Sequence, residues 1–116
     1  MYFSVRHGRL HVCLRVLRQG RDWVALLCGG EAHVGAVALG SPYSPGFDVL
    51  TVPGHKEDAL AQETAARLSA AVGCHVCVVA GIHYDNITAE EIQQVQDMVR
   101  DVTEQCLAAL RGGRAC

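Results

Sequence analysis

The stretch from residue 54 to residue 80, GHKEDALAQETAARLSAAVGCHVCVVA, changes its hydrophobic period partway along, and that change decides the fold. Leu60, Thr64, Leu68 and Val72, with Ala61, Ala65 and Ala71, recur at helical spacing, which predicts a helix over about 56–72 closed by Gly73. Residues 74–80 then run apolar and β-branched, the pattern of a buried strand. A strand over 47–52, ended by Pro53-Gly54, precedes the helix. Strand, helix, strand is a crossover unit whose strands run parallel, so their C-terminal ends share one edge of a sheet.

Upstream the period is two. Leu10, Val12, Leu14 and Val16 alternate with His11, Cys13, Arg15 and Leu17, as in a half-buried strand. Turn signals at His7-Gly8-Arg9, Gln19-Gly20-Arg21-Asp22 and Cys28-Gly29-Gly30-Glu31 separate it from strands at 2–6, 23–27 and 33–39. Four strands joined by short turns predict an antiparallel meander. Downstream, Thr88-Ala89-Glu90-Glu91 is a capping box whose hydroxyl and carboxylate satisfy free amides at a helix start. The stripe Ile92, Val95, Val99, Val102, Cys106 and Leu110 then carries a long helix to Gly112-Gly113. The expected fold is α+β, an antiparallel β-meander extended by a β-α-β crossover, with two helices packed on the sheet. Residues 1–111 are expected to form one domain and 112–116 a flexible tail.

Composition narrows the function. A chain of 116 residues, half of them apolar, can bury a core as one domain. Its formal charge is -2 and its ten Lys and Arg are scattered, so no basic stripe invites nucleic acid. The longest stretch without a formal charge, 68–84, is interrupted by Gly73, His75, Gly81 and His83, and the N-terminus lacks the order of a signal peptide. These features predict a cytoplasmic protein with no membrane segment. Six cysteines in that setting read as free thiols packed like small hydrophobes, and Cys74-His75-Val76-Cys77 reads as buried packing, since a zinc site would need a second ligand pair.

The crossover gathers candidate site residues. One loop at the shared edge is Gly54-His55-Lys56-Glu57-Asp58, another is Gly81-Ile82-His83-Tyr84-Asp85-Asn86, and the turns at 29–33 and 7–9 join them if the meander runs as expected. Lys56, the chain's single lysine, stands with Gly54 and His55 at a helix start, where free N–H groups suit a phosphate. Glu57 and Asp58 read as first-turn acids that complement the helix dipole. His33, His55, His83 and Asp85 can hydrogen-bond a polar ligand head or complete a divalent metal site, while His11 and His75, inside strands, read as structural. There are no paired carboxylates, no Ser or Cys nucleophile beside a base and no Walker-type loop, so an enzyme mechanism would have to rest on a metal.

The segments HVGAVALGSP from His33, GHKEDALAQETAARL from Gly54 and VVAGIHYDNITAEEI from Val78 resemble the small D-subunit proteins that accompany gallate-type hydroxyaryl decarboxylases, the prenylated-flavin chaperones. The wider group is similar to bacterial and archaeal relatives of proteasome-assembly chaperones, small dimeric domains of sheet plus helices. The resemblance implies a non-catalytic homodimer that binds reduced prenylated FMN, with or without a divalent metal ion, and serves a decarboxylase apoenzyme or a flavin prenyltransferase. One departure is the acidic Glu31, where a turn touching phosphate would favour basic character. Two other readings stay open on the residues: a protein-assembly chaperone without cofactor, and a small metal-dependent hydrolase using His33, His83 and Asp85.

Overall fold

The computed structural model describes residues 1–43, 49–53 and 57–111. They form β1 (Tyr2–His7), β2 (Leu10–Gln19), β3 (Asp22–Gly30), β4 (Ala36–Gly40), β5 (Val49–Thr51), α1 (Asp58–Val72), β6 (Val76–His83) and α2 (Ala89–Leu110). The strands make one mixed sheet in the order β1-β2-β3-β6-β4-β5. Gly54, His55 and Lys56, the proposed phosphate-binding start of the first helix, and the expected tail 112–116 lie outside the described residues.

The alternating pattern of the first three strands gives the expected antiparallel pairs β1–β2 and β2–β3. The fourth strand corrects the expected meander. It does not lie beside β3, because β6 enters between them, parallel to β3 and antiparallel to β4. The run Val76–His83 is almost wholly apolar on both faces, which suits a central strand, whereas β4 has only five residues. β5 and β6 run in the same direction, since both are antiparallel to β4. The parallel pair in contact is nevertheless β3–β6.

Both helices pack on the same face of the sheet. α1 buries Ala61, Ala65, Leu68 and Val72, and α2 buries Val95, Val99, Val102 and Cys106, against a sheet face built by Leu10, Val12, Leu14, Leu27, Val78 and their neighbours. Each such Leu or Val taken fully from water contributes about 1.5–3 kcal/mol. Gly73 ends α1 in the left-handed region at φ 69° and donates its N–H to Ser69 O. Thr88 and Glu91 form the expected reciprocal capping box of α2. No helix among the described residues is long and apolar enough to cross a membrane. Cys13, Cys28, Cys77 and Cys106 are free thiols, but Cys74 is disulfide-bonded, which corrects the expectation of free thiols at that position.

Candidate functional site

Strand direction brings the candidate loops together. β3 and β6 are parallel and end side by side, with Gly30 opposite His83. β2 starts at this end, β4 starts here and β5 finishes here, so the connections around residues 8–9, 31–35 and 84–88 share one edge. The expected convergence of the His33, His83 and Asp85 segments is therefore present, and Arg9 joins them.

The site is held by a polar side chain whose place in the sequence, at the start of a helix, suggests only an acid that complements the helix dipole. Glu57 is 7 % exposed, and its Oε1 lies 3.0 Å from His33 Nε2 and accepts the Ile82 N–H at 3.4 Å. The reason lies in the sheet. β4 pairs with β6 as far as Ala36 opposite Ala80, and Gly35 N–H still donates to Ala80 O at 2.8 Å. Beyond that point the chain leaves the ladder, and Glu57 accepts the next amide of β6, which burial would otherwise make costly to leave unpaired. His33 Nδ1 lies 3.1 Å from Glu31 O. Each ring nitrogen thus faces an oxygen, which fixes the orientation of the ring. Here Glu31 supplies its backbone carbonyl, so its side-chain charge does not prevent the turn from positioning His33.

Two close approaches lock this geometry. A Cβ on Gly81 would sit 1.6 Å from His33 O, so the 31–35 connection passes directly over β6 only because residue 81 has no side chain. A Cβ on Gly35 would sit 2.4 Å from Glu57 Oε2.

The 84–91 connection is pinned separately. Arg9 donates from Nε and Nη2 to the two Glu91 carboxylate oxygens at 2.8 and 2.9 Å, and from Nη2 to Asp85 O at 3.0 Å. This contact, with the Thr88 backbone bond next, draws the Glu91 carboxyl down to about 2. Tyr84 Oη accepts the His11 N–H at 2.7 Å and donates to His11 O at 2.9 Å, tying the loop to β2. His83 Nε2 and Asp85 Oδ1 are 3.0 Å apart at the surface, and the His33 and His83 rings meet edge to face at 6.5 Å.

Beside this edge, between α1 and α2, opens a groove of about 730 Å³. Leu60, Ile82, Ile87, Ile92 and Val95 give it apolar walls, Glu57 and His83 stand at its margin, and Glu63 and Arg100, an ion pair at 3.3 Å, lie on the helices beyond. Ile92 is 46 % exposed at the start of α2, which marks the wall as open to a ligand.

Of the expected site residues, His33, His83 and Asp85 stand at this edge. The expected metal set His33, His55, His83 and Asp85 is not assembled by the described residues: His33 turns to Glu57, His83 turns to Asp85, and no three His, Cys, Asp or Glu side chains among them are placed to hold an ion. His55 lies outside the described residues. His75 stands at the opposite end of the sheet, 3.6 Å from Asp22, and the His11 ring contacts Arg6 and Cys13 at the far side of β2, both in structural settings.

A mixed sheet backed by two helices, with histidine–carboxylate pairs beside an apolar groove, defines a small α+β domain. The sequence model of the prenylated flavin chaperone LpdD-like domain matches residues 6–111, and the chain belongs to that family. No curated protein gives a significant match.

Proposed function

We propose that this protein is a non-catalytic carrier of reduced prenylated FMN, acting as a homodimer that holds the flavin for a hydroxyaryl decarboxylase. The observation that carries the reading is the juxtaposition of the His33–Glu57 and His83–Asp85 pairs with an apolar groove of about 730 Å³, in a chain of the prenylated flavin chaperone family. Ligand sites for molecules of this size are concave, mostly apolar and furnished with a few fixed polar groups, typically ~300–1,000 Å³ in volume. The groove and its margin fit that description.

In this reading Gly54, His55 and Lys56 take the phosphate, because a lysine beside backbone amides at a helix start provides charge-assisted donors. His33, His83 and Asp85 hydrogen-bond the polar edge of the ring system, and the groove excludes water from its apolar part. The flavin, once matured, supplies the decarboxylase with its reactive centre; the carrier's residues bind, orient and shield it. Holding a reduced flavin needs no nucleophile or base of the protein's own. The reading includes no metal.

Co-expression with a flavin prenyltransferase, followed by anaerobic purification, absorbance and native mass spectrometry, tests it. Purified protein carrying the mass of prenylated FMN is expected. Colourless protein with no flavin mass, under conditions where free prenylated FMN survives, would sink the carrier reading in favour of an assembly chaperone that uses no cofactor.

A further inference from the structure

The groove between the helices keeps its polar groups at its ends and its middle apolar. Ile82 at the end of β6 and Ile87 in the following connection form the floor, with Leu60 on α1 and Ile92 and Val95 on α2 as walls. Glu57 and His83 stand at the sheet edge. Farther along the helices, Arg100 reaches from α2 to Glu63 on α1 at 3.3 Å, and Gln96, one turn before Arg100, belongs to that polar end. Tyr84 also lines the groove, but its hydroxyl is held by the His11 backbone. Ile92 is 46 % exposed, and Leu60, Ile82 and Ile87 are half-buried. The chain's own packing therefore covers these four aliphatic side chains only in part.

The shape of this apolar middle says what it suits. Flat ring systems are met by aromatic planes, which stack on them. Here branched aliphatic side chains converge instead from a floor and two walls, and close contact with such a trough needs an aliphatic fragment that is itself branched. We propose that Leu60, Ile87 and Ile92 are the residues that distinguish a prenylated flavin from an unmodified one, by taking the prenyl-derived carbons into the trough. The assignment rests on the carrier reading above and names the part of the ligand that the groove holds. Discrimination follows from burial. With unmodified FMN the trough stays wet and its side chains gain no partner, whereas the prenyl carbons leave water as they enter it. The phosphate is common to both flavins, so whatever holds it adds affinity without discrimination.

Anaerobic titration of the wild type, Ile92→Thr and Ala59→Trp with reduced prenylated FMN and with dithionite-reduced FMN, the weaker ligand read by competition, tests the assignment. Ala59 lines the groove from the first turn of α1, and both substituted positions are exposed, so circular dichroism should be unchanged. Should one variant fail to fold, the other decides. Since a single methylene in an apolar pocket is worth about 10–200-fold in discrimination, the wild type should prefer the prenylated ligand by at least about a hundredfold. On the same scale Ile92→Thr should weaken the prenylated ligand about tenfold and leave reduced FMN within about twofold. Ala59→Trp, which fills the trough, should lower the preference at least as much. Equal affinity of the wild type for the two flavins, a parallel loss of both in the variants, or a preference that neither variant changes overturns the assignment and leaves the carrier reading standing. A wild type that binds neither flavin overturns both.

Discussion

At the end of the sheet formed by the turns near residues 20, 41 and 74, Gly20 and Gly73 serve conformation alone, at φ 61° and 69° with open space where a Cβ would stand, and Gly40 makes room for the backbone of α1, with Ala65 O 2.4 Å from where its Cβ would stand. At the opposite end Gly81 and Gly35 are required by their neighbours, a carbonyl at 1.6 Å and a carboxylate at 2.4 Å from where a Cβ would stand. The polar contacts separate the two ends. The turns of the plain end hold a pair at the surface, Asp22 with His75. The other end joins His33 to Glu57 and Arg9 to Glu91, and buries one of the carboxylates. A fold needs turns at both ends, but it does not need one of them to be packed around a buried carboxylate and a histidine. That excess of specified contact marks a site.

The largest expected difference between the two ends comes from their glycines. Gly81→Ala should lower unfolding free energy by about 3 kcal/mol, because the 31–35 connection must move off β6, whereas Gly20→Ala should lower it by about 1 kcal/mol of backbone strain. Urea denaturation of both variants measures this, and equal losses would remove the distinction. Next, Glu57→Ala should lower stability by about 1–3 kcal/mol through the Ile82 amide and His33 left behind, while Asp22→Ala at the plain end should lower it by under ~1 kcal/mol, as for an exposed pair. If Asp22→Ala proved the more damaging, Glu57 would be an ordinary first-turn acid after all. Smaller again, Thr88→Ala should lower stability by about 1 kcal/mol through the lost cap, read by thermal melting.

The smallest effect is one of pH. The Glu91 carboxyl is drawn from its ordinary 4.5 to about 2, first by Arg9. Its folded value is depressed, so its stabilising contribution is fully present above about 4.5 and is lost as pH falls toward about 2. Arg9→Ala should flatten the stability profile across that window and leave it unchanged near neutrality apart from a constant offset. A profile of unaltered shape would mean that Arg9 does not hold Glu91 in solution.

The elements that carry their own period were legible in the sequence. The alternation at Leu10–Gln19, the alanine-rich helix to Gly73 and the Thr88–Glu91 box appear where their residues indicated. The neighbour relations of β6 were not, because a run apolar on both faces reveals a central strand without saying what flanks it. Glu57 was invisible for a related reason. An acid in the first turn of a helix is ordinary, and only the departure of β4 from the ladder and the bare backbone at Gly35, more than twenty residues away, make it a buried acceptor. The converging loops could be placed, since strand direction follows from the crossover. The partner choices of His33 and His83 could not, since each depends on side-chain contacts across that edge.

The most direct test of the carrier account compares the two ends with one ligand. Anaerobic titration of reduced prenylated FMN, followed by fluorescence at low salt, should give one site per chain in the wild type. Lys56→Ala should bind about tenfold or more weakly through loss of a charge-assisted phosphate contact worth about 1–3 kcal/mol, and His75→Ala at the plain end should bind as the wild type does. Equal affinity in all three proteins, with each fold intact by circular dichroism, would contradict the account, because Lys56 would then take no part in holding the flavin.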